Sequence, residues 1–568
     1  MYVTETRPSA AGLRTPVKVS SADGAPAQWH RLLTLLADIG LFVGTRPVWA
    51  QAASHRPLVA AVISLCYASI LTTGVLVLVV RRGRSLARLD LCVLVTAVTL
   101  TLCAYAMDHG GSDEALLTTQ AARQLAHGLP VYGQPWPGLF GRGVALTPTV
   151  TGGYDFTYGY PPLSVLLTAP FVGVGHGAMA ATLVSTGALL VGAVVMWWLL
   201  PVPWRSAATL VCLGFGLLPD YARLGYPAVV ALALLVPVVV RWPGTGAGGR
   251  LGPAGLTRAA CLGAACAAQQ LPWFLAPFLL AGIYAVRRGE LGPREAARVV
   301  GRFVAVASAV WLLINTYFIV RQPHDWLSGI ALPLTQGAVV HGQGLVGISL
   351  YLTDGSGRLV WYSYASLLLA AALLALFVLF VRRLGPAAAV LPWCAFYLAT
   401  RSQDGYYLLM TPLWVAAAVT APPAPFATAW QPRLGLGRRA RAGLSALLLA
   451  PAAIGVTVAA TSAPPLRMTV LDERPAGRAA LADLTVRVTN LADDDLRPHF
   501  TLTTGQGMSR YWSVARGPAV LARHASATYE LRPPTGKFTL PRHGVRIRLR
   551  AFTGAPMTLS STDVRDGP

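Results

Sequence analysis

The residues best equipped for chemistry gather just after an apolar run. The segment "MDHGGSDEALLTTQAARQLAHGLPVYG" offers Asp108, His109, Asp113 and Glu114 within a few positions of that run's end. A carboxylate placed against a hydroxyl acts as a general base. One such group suffices for a single displacement with inversion, whereas glycosidases need two. After a Gly/Pro-rich stretch, "GGYDFTYGYPPLSVLLTAP" adds Tyr154, Asp155, Tyr158 and Tyr160 ahead of Pro161 and Pro162. By residue type alone, the same acids would also suit a solvated loop.

Groups able to receive an anion are fewer. Arg401 follows the apolar stretch 386–400, where a cation is costly unless paired, and Asp404 or a snorkelling geometry would also account for it. Arg223 in "LPDYARLGYP" has Asp220 as a ready partner. His324 and His341 lie in a second long connection, the latter with Gln343 in "HGQGLVG". A lone loop histidine is more often structural than a ligand.

What must hold these residues is a membrane. Of 568 residues, 54% are hydrophobic and only 12% charged, against about 25% charged in a soluble domain. Repeated apolar runs are long enough to cross a bilayer as helices. The net charge of +23 is spread over short arginine-rich connections: "RRGRSLAR" at 81–88, "RRGELGPREAARVVGR" at 287–302, "RR" at 382–383 and "RLGLGRRAR" at 433–441. That is the pattern of cytoplasmic loops. It forms no single basic face with a recognisable module, so nucleic acid is not expected as a partner.

Residues 1–30 read as a disordered cytoplasmic N-terminus and 31–462 as the transmembrane domain. The stretch 32–52 carries Asp38 and reads as a weak span or an interfacial helix. Clear spans are expected at 58–80 and 89–107, so 108–160 becomes a long external loop, and loops of that length are usually functional. Further spans are expected near 178–200, 207–219, 226–240, 303–320, 360–381, 386–400, 406–421 and 443–461. The stretch 258–286, interrupted by "AAQQLPWF", reads as two short helices meeting near the outer face, tolerated where they border protein or a water-filled cavity. The total is twelve or thirteen spans, with a second external loop at 321–358.

Beyond residue 462 the periodicity changes. "LTVRVTN", "HFTLTT", "YWSVA", "ATYEL", "KFTL" and "VRIRLRAF" alternate apolar and polar residues between Gly, Pro and Asp. That predicts an antiparallel β-sandwich of about seven strands over 463–568, placed outside by the preceding topology. Tyr511 and Trp512 must face opposite sides of a strand, so one of them belongs to the core. The seven cysteines all lie in apolar stretches, without metal-ligand spacing.

The acid after an early span, the cadence "LLTTQAARQLAHGLPVY" and the "YPPL" at 160–163 together resemble the GT-C superfamily of membrane glycosyltransferases, and within it family 87. The broken "AAQQLPWFLAPFLL", "HGQGLVG" and "LATRSQDGYYLLMTP" extend the resemblance over about 89–421. It implies a polytopic all-α membrane protein that moves a sugar, with mannose favoured, from a polyprenyl-phosphate donor to a cell-envelope glycan or glycolipid. The active site would face the extracytoplasmic side of the cell membrane, and no cofactor or metal would be needed. Family position gives Asp113 the role of base, with Asp108 and then Glu114 as alternatives. By residue type and place in the chain, Arg401, His341, His324, Gln343 and Arg223 are candidates for the donor phosphate or sugar, and Tyr160 and Tyr158 for the lining. Trp136 is better explained by the membrane interface. The family loop usually carries Asn-Gln where this chain has "HGQG", and the β-domain lies outside the resemblance. A transporter or flippase would show matching broken helices in two halves, and only one broken segment is evident. The remaining alternative is an inactive envelope scaffold whose β-domain binds glycan. No phosphate-cradling loop suggests nucleotide use.

Overall fold

The computed structural model describes residues 27–80, 82–140, 146–173, 175–477, 480–540 and 545–565. The N-terminal stretch expected to be disordered lies outside them up to residue 26, while residues 27–30 already belong to a helix.

Within a bilayer no water satisfies bare peptide groups, so each apolar segment must close its hydrogen bonds internally. Among the described residues, eight helices are long and apolar enough to cross: Gln28–His55, Pro57–Val79, Gly83–Met107, Met179–Leu199, Val202–Arg223, Pro293–Arg321, Val360–Leu379 and Arg438–Thr461. The chain is therefore a multi-pass membrane protein. In order, its helices are α1 (Ala27–His55), α2 (Pro57–Val79), α3 (Gly83–Met107), α4 (Asp113–Ala126), α5 (Leu163–Thr168), α6 (Met179–Leu199), α7 (Arg205–Leu213), α8 (Leu217–Arg223) and α9 (Pro227–Val239). They continue with α10 (Gly252–Ala268), α11 (Leu271–Leu291), α12 (Pro293–Arg321), α13 (Pro323–Thr335) and α14 (Val360–Leu379).

Three expectations change. The stretch 32–52, read as a weak span or an interfacial helix, belongs to α1, which is long and apolar enough to cross. The stretch 386–400 is not a span, being divided into the turns Gly385–Ala389, Leu391–Cys394 and Ala395–Leu398. Pro386 and Pro392 interrupt it, each removing a helix donor. Together with the short α9 and the short apolar helix Gly405–Thr420, this leaves eight long spans rather than twelve or thirteen. The break foreseen inside 258–286 falls at Gln269 and Gln270, between α10 and α11.

The C-terminal strands form two packed sheets. One pairs β4 (Leu466–Pro475) with β5 (Ala480–Asn490), which also pairs β9 (Ser526–Arg532) and β10 (Phe538–Thr539), while β8 (Ser513–Arg516) borders β9. The other runs β12 (Thr558–Arg565), β11 (Ile547–Thr553), β6 (His499–Thr504), β7 (Gly507–Met508). Their shared core holds Leu484, Val486, Val488, Phe500, Leu502, Trp512, Tyr529 and Leu549. Trp512 is the core member of its pair with Tyr511. A two-residue strand from the second long loop, β2 (Gly355–Ser356), adds to the edge at β12, and two further short strands, β1 (His341–Gly342) and β3 (Arg401–Ser402), pair in parallel.

At the opposite end of the helical body, Asp90 accepts from His30 at 2.7 Å, Thr34 at 3.0 Å and Ser206 at 2.6 Å. All four residues are buried and tie α1, α3 and α7 together. Removing the acceptor of such a buried pair typically costs about 3–5 kcal/mol. Asp90→Ala is therefore expected to lower the thermal midpoint in detergent well below that of Asp90→Asn, which keeps one acceptor. Equal midpoints for both variants and wild type would contradict this role.

Candidate functional site

The site begins where α3 ends. Ser112 caps α4, its side chain accepting from Ala115 N, while its own N–H and hydroxyl donate to Leu224 O at 2.9 and 2.8 Å. Gly111 has φ of +75°, and a Cβ there would collide with Ala178 at 2.5 Å, so only glycine lets the chain turn this tightly against α6. These contacts fix the first turn of α4, and with it Asp113 and Glu114.

The two neighbouring acids meet different surroundings. Asp113 accepts from the Thr147 hydroxyl at 2.9 Å and from Glu114 N at 2.9 Å. Glu114 points among protein atoms, hydrogen-bonded to Tyr160 and within electrostatic reach of Arg401. Loss of hydration pushes its carboxyl up to about 8, the Asp113 charge adds to that, and the Tyr160 and Arg401 contacts oppose it. Burial also pushes the Tyr160 phenol well up, with Glu114 next in weight.

Tyr160 is held from three sides. Its carbonyl accepts from Tyr132 Oη at 2.8 Å, and Tyr158 packs against its ring with centroids 5.9 Å apart. Gln270, at the break between α10 and α11, donates to Gly159 O and Ile330 O, both at 3.0 Å. The broken helix thus anchors the turn that carries Tyr160. The Gln270 Oε1 is buried without a partner.

Arg401 arrives on β3, in register with His341 on β1. The Arg401 Nε and the His341 Nδ1 are both buried without a hydrogen-bond partner. The imidazole is tied to the Gln506 main chain, and burial first, then Arg401, lowers its proton affinity. Asp404 caps the short helix Gly405–Leu408 by accepting from Gly405 N at 2.9 Å, so it is not committed to Arg401 alone.

Asp113, Glu114, Tyr160, Arg401 and His341 are thus brought together. Gln343 adjoins them through its backbone, Gln343 N donating to Ser402 O at 2.8 Å, with its side chain exposed. Asp108 is exposed and faces Arg223 at 3.9 Å, and Arg223 is paired more closely with Asp220. That ion-paired group borders α4, and the Arg223 Nε is likewise buried without a partner. Tyr158 is fully buried, its hydroxyl donating to Pro161 O at 3.1 Å, so it shapes the turn instead of lining a ligand site. His324 is 95% exposed beside Asp325 on α13, apart from the Glu114 group. Trp136 packs with Tyr132 and Tyr160 in an apolar cluster. Sequence reasoning missed Gln270, Tyr226 and Tyr406, all grouped around Glu114 or Tyr160; the polar Gln-Gln pair in an apolar run was the available signal for the first.

No family model matches the chain, and no curated protein does. Among solved structures, ArnT from Cupriavidus metallidurans bound to undecaprenyl phosphate aligns over 65% of this chain at 14% identity with a TM-score of 0.33. The chain spans 63% of that relative's length. A likeness of this size fixes neither the fold nor the chemistry.

Glu114 yields a pH signature of its own. Its carboxyl rises from 4.5 to about 8 on folding, so the native state binds the proton more tightly than the unfolded chain. The stabilising contribution is complete below pH 4.5 and is lost as the pH climbs towards about 8. Glu114→Gln keeps a neutral side chain throughout. The thermal midpoint of wild type relative to this variant is expected to fall between those two pH values, and a flat difference would remove Glu114 from its buried setting.

Proposed function

We propose that this chain is a membrane glycosyltransferase that moves a sugar, with mannose favoured, from a polyprenyl-phosphate donor to a cell-envelope glycan or glycolipid, with inversion. The observation that carries this reading is the Glu114 carboxylate, desolvated, bonded to Tyr160 of the "YPP" turn and facing Arg401. The motif resemblance pointed to Asp113 as the base, with Glu114 third, and to the "YPP" turn; it is Glu114 that bonds Tyr160 of that turn.

In this reading Glu114 is the base, with Asp113 its neighbour. A carboxyl near 8 is a better proton acceptor than an ordinary one and still ionises close to working pH. It takes the proton of the acceptor hydroxyl as that oxygen bonds to the anomeric carbon. The bond from that carbon to the phosphate oxygen breaks on the other face, and the phosphate leaves with the electron pair. Arg401 and His341, with unpartnered buried nitrogens, suit the departing anion. Tyr160 orients the base.

The topology supports an extracytoplasmic placement. The site segments follow α3, α10 and α12 and precede α6 and α14. The arginine-rich connections at 287–302 and 433–441 join the other helix ends. The positive-inside rule puts those in the cytoplasm and the site, with the sandwich, outside.

Purified protein incubated with radiolabelled polyprenyl-phosphate mannose and membrane-extracted acceptors should transfer label. Glu114→Gln is expected to lose about 10²-fold or more, and Asp113→Asn less. Full activity in Glu114→Gln with loss in Asp113→Asn would move the base to Asp113. No transfer by wild type from any polyprenyl-phosphate sugar would end the proposal.

A further inference from the structure

The sandwich touches the helical body at the same segments that hold the candidate site. Pro148 bridges Tyr154 to form a small hairpin, and Thr147, at its base, holds Asp113. The hairpin is clamped from the sandwich by Tyr511, whose N–H donates to Tyr154 Oη at 2.9 Å and whose hydroxyl donates to Thr149 O at 2.7 Å. Gly152, at φ of +84°, lies directly under the His499 ring, where any Cβ would collide. On its far side the hairpin bonds 337–339: Val150 N donates to Gly337 O at 2.8 Å, and Val339 N to Pro148 O at 2.9 Å. That strand leads into His341, whose ring is tied to Gln506 in the β6–β7 turn. Val150, Val339, Val340, Phe552 and Leu559 share one apolar cluster with Met508 and Tyr511 packed against it.

Two routes therefore run from sandwich to site. One passes from Tyr511 through the hairpin to Thr147 and Asp113; the other passes from Gln506 to His341 and, through the β1–β3 register, to Arg401. A separate recognition module would need neither.

We infer that the sandwich is a positioning element of the site, with Tyr511 as its key residue, and that the acid and the cation reach their working geometry only while the sandwich is docked. The catalytic part of this inference rests on the transferase reading; the positioning part does not.

Tyr511→Phe in the full-length protein tests it, since only the hydroxyl is lost. Hydrogen exchange at Val150, Val339, His341 and Gln343 should quicken about fivefold or more, while β5 and β11 keep their protection. If wild type is active, kcat should fall about tenfold or more with the donor KM within about twofold, as expected for misplacement rather than lost binding. Tyr154→Phe, which removes the acceptor of Tyr511 N–H from the other side, should reproduce both effects and guards against a sandwich that merely fails to fold. Unchanged exchange at those four amides in both variants overturns the inference, whatever the activity. An inactive wild type with quickened exchange defeats the transferase reading and leaves the positioning intact.

Discussion

Holding a carboxylate away from water costs several kcal/mol unless something nearby repays it, and the arrangement around Glu114 follows from that cost. Glu114 has the Tyr160 hydroxyl and the field of Arg401 on one side and the Asp113 charge on the other. These do not balance in favour of the charged form, so the group holds its proton to about 8. Asp113 instead accepts hydrogen bonds from the Thr147 hydroxyl and from Glu114 N. Adjacent positions in one helical turn thus meet different surroundings. Tyr132, Tyr158 and Gln270 serve that arrangement by fixing the turn on which Tyr160 stands.

The same economy explains the seam with the sandwich. β11 is buried along its whole length, on both faces. Ile547, Leu549 and Ala551 enter the sandwich core. Arg548 and Arg550 turn to the helical body, where they donate to Leu350 O at 3.3 and 2.7 Å, and Arg548 also reaches Asp354 at 2.7 Å. A free-standing sandwich would leave that face to water. Buried guanidinium groups bonded to carbonyls of another segment are tolerable only if the two parts stay together.

Much of this was legible in the sequence for definite reasons. Apolar runs of bilayer length have little choice but to be helices, and the alternation in "LTVRVTN" puts Leu484, Val486 and Val488 on one face. The Gln-Gln pair announced the break between α10 and α11. The neighbourhood of the site was also visible, since Asp113, Glu114 and Tyr160 bracket one long connection. The different surroundings of the two acids were not, because the burial of Glu114 and its contact with Tyr160 arise only in the tertiary fold. The alternation in "VRIRLRAF" marked a strand with one apolar face, and a strand cannot declare that its second face will be covered. Tyr158 and Tyr160 differ by two positions and lie on a turn, so nothing local told the buried ring from the one that meets Glu114.

Glu114 and Asp90 show why burial alone does not mark a reactive acid. Asp90 has three donors from two neighbouring helices, both oxygens engaged and no exposure. Its hydrogen bonds are already made, and removing its oxygens would loosen the bundle that it fastens. Glu114 retains partial exposure, one hydroxyl partner and a cation held in register with a histidine whose Nδ1 is unpartnered. A group that is desolvated but not saturated can exchange a proton with a ligand at low reorganisation cost, because the surrounding dipoles are fixed by the fold. Unpartnered nitrogens on Arg401 and His341, close to the Glu114 carboxyl, set this group apart from the saturated bonding of Asp90.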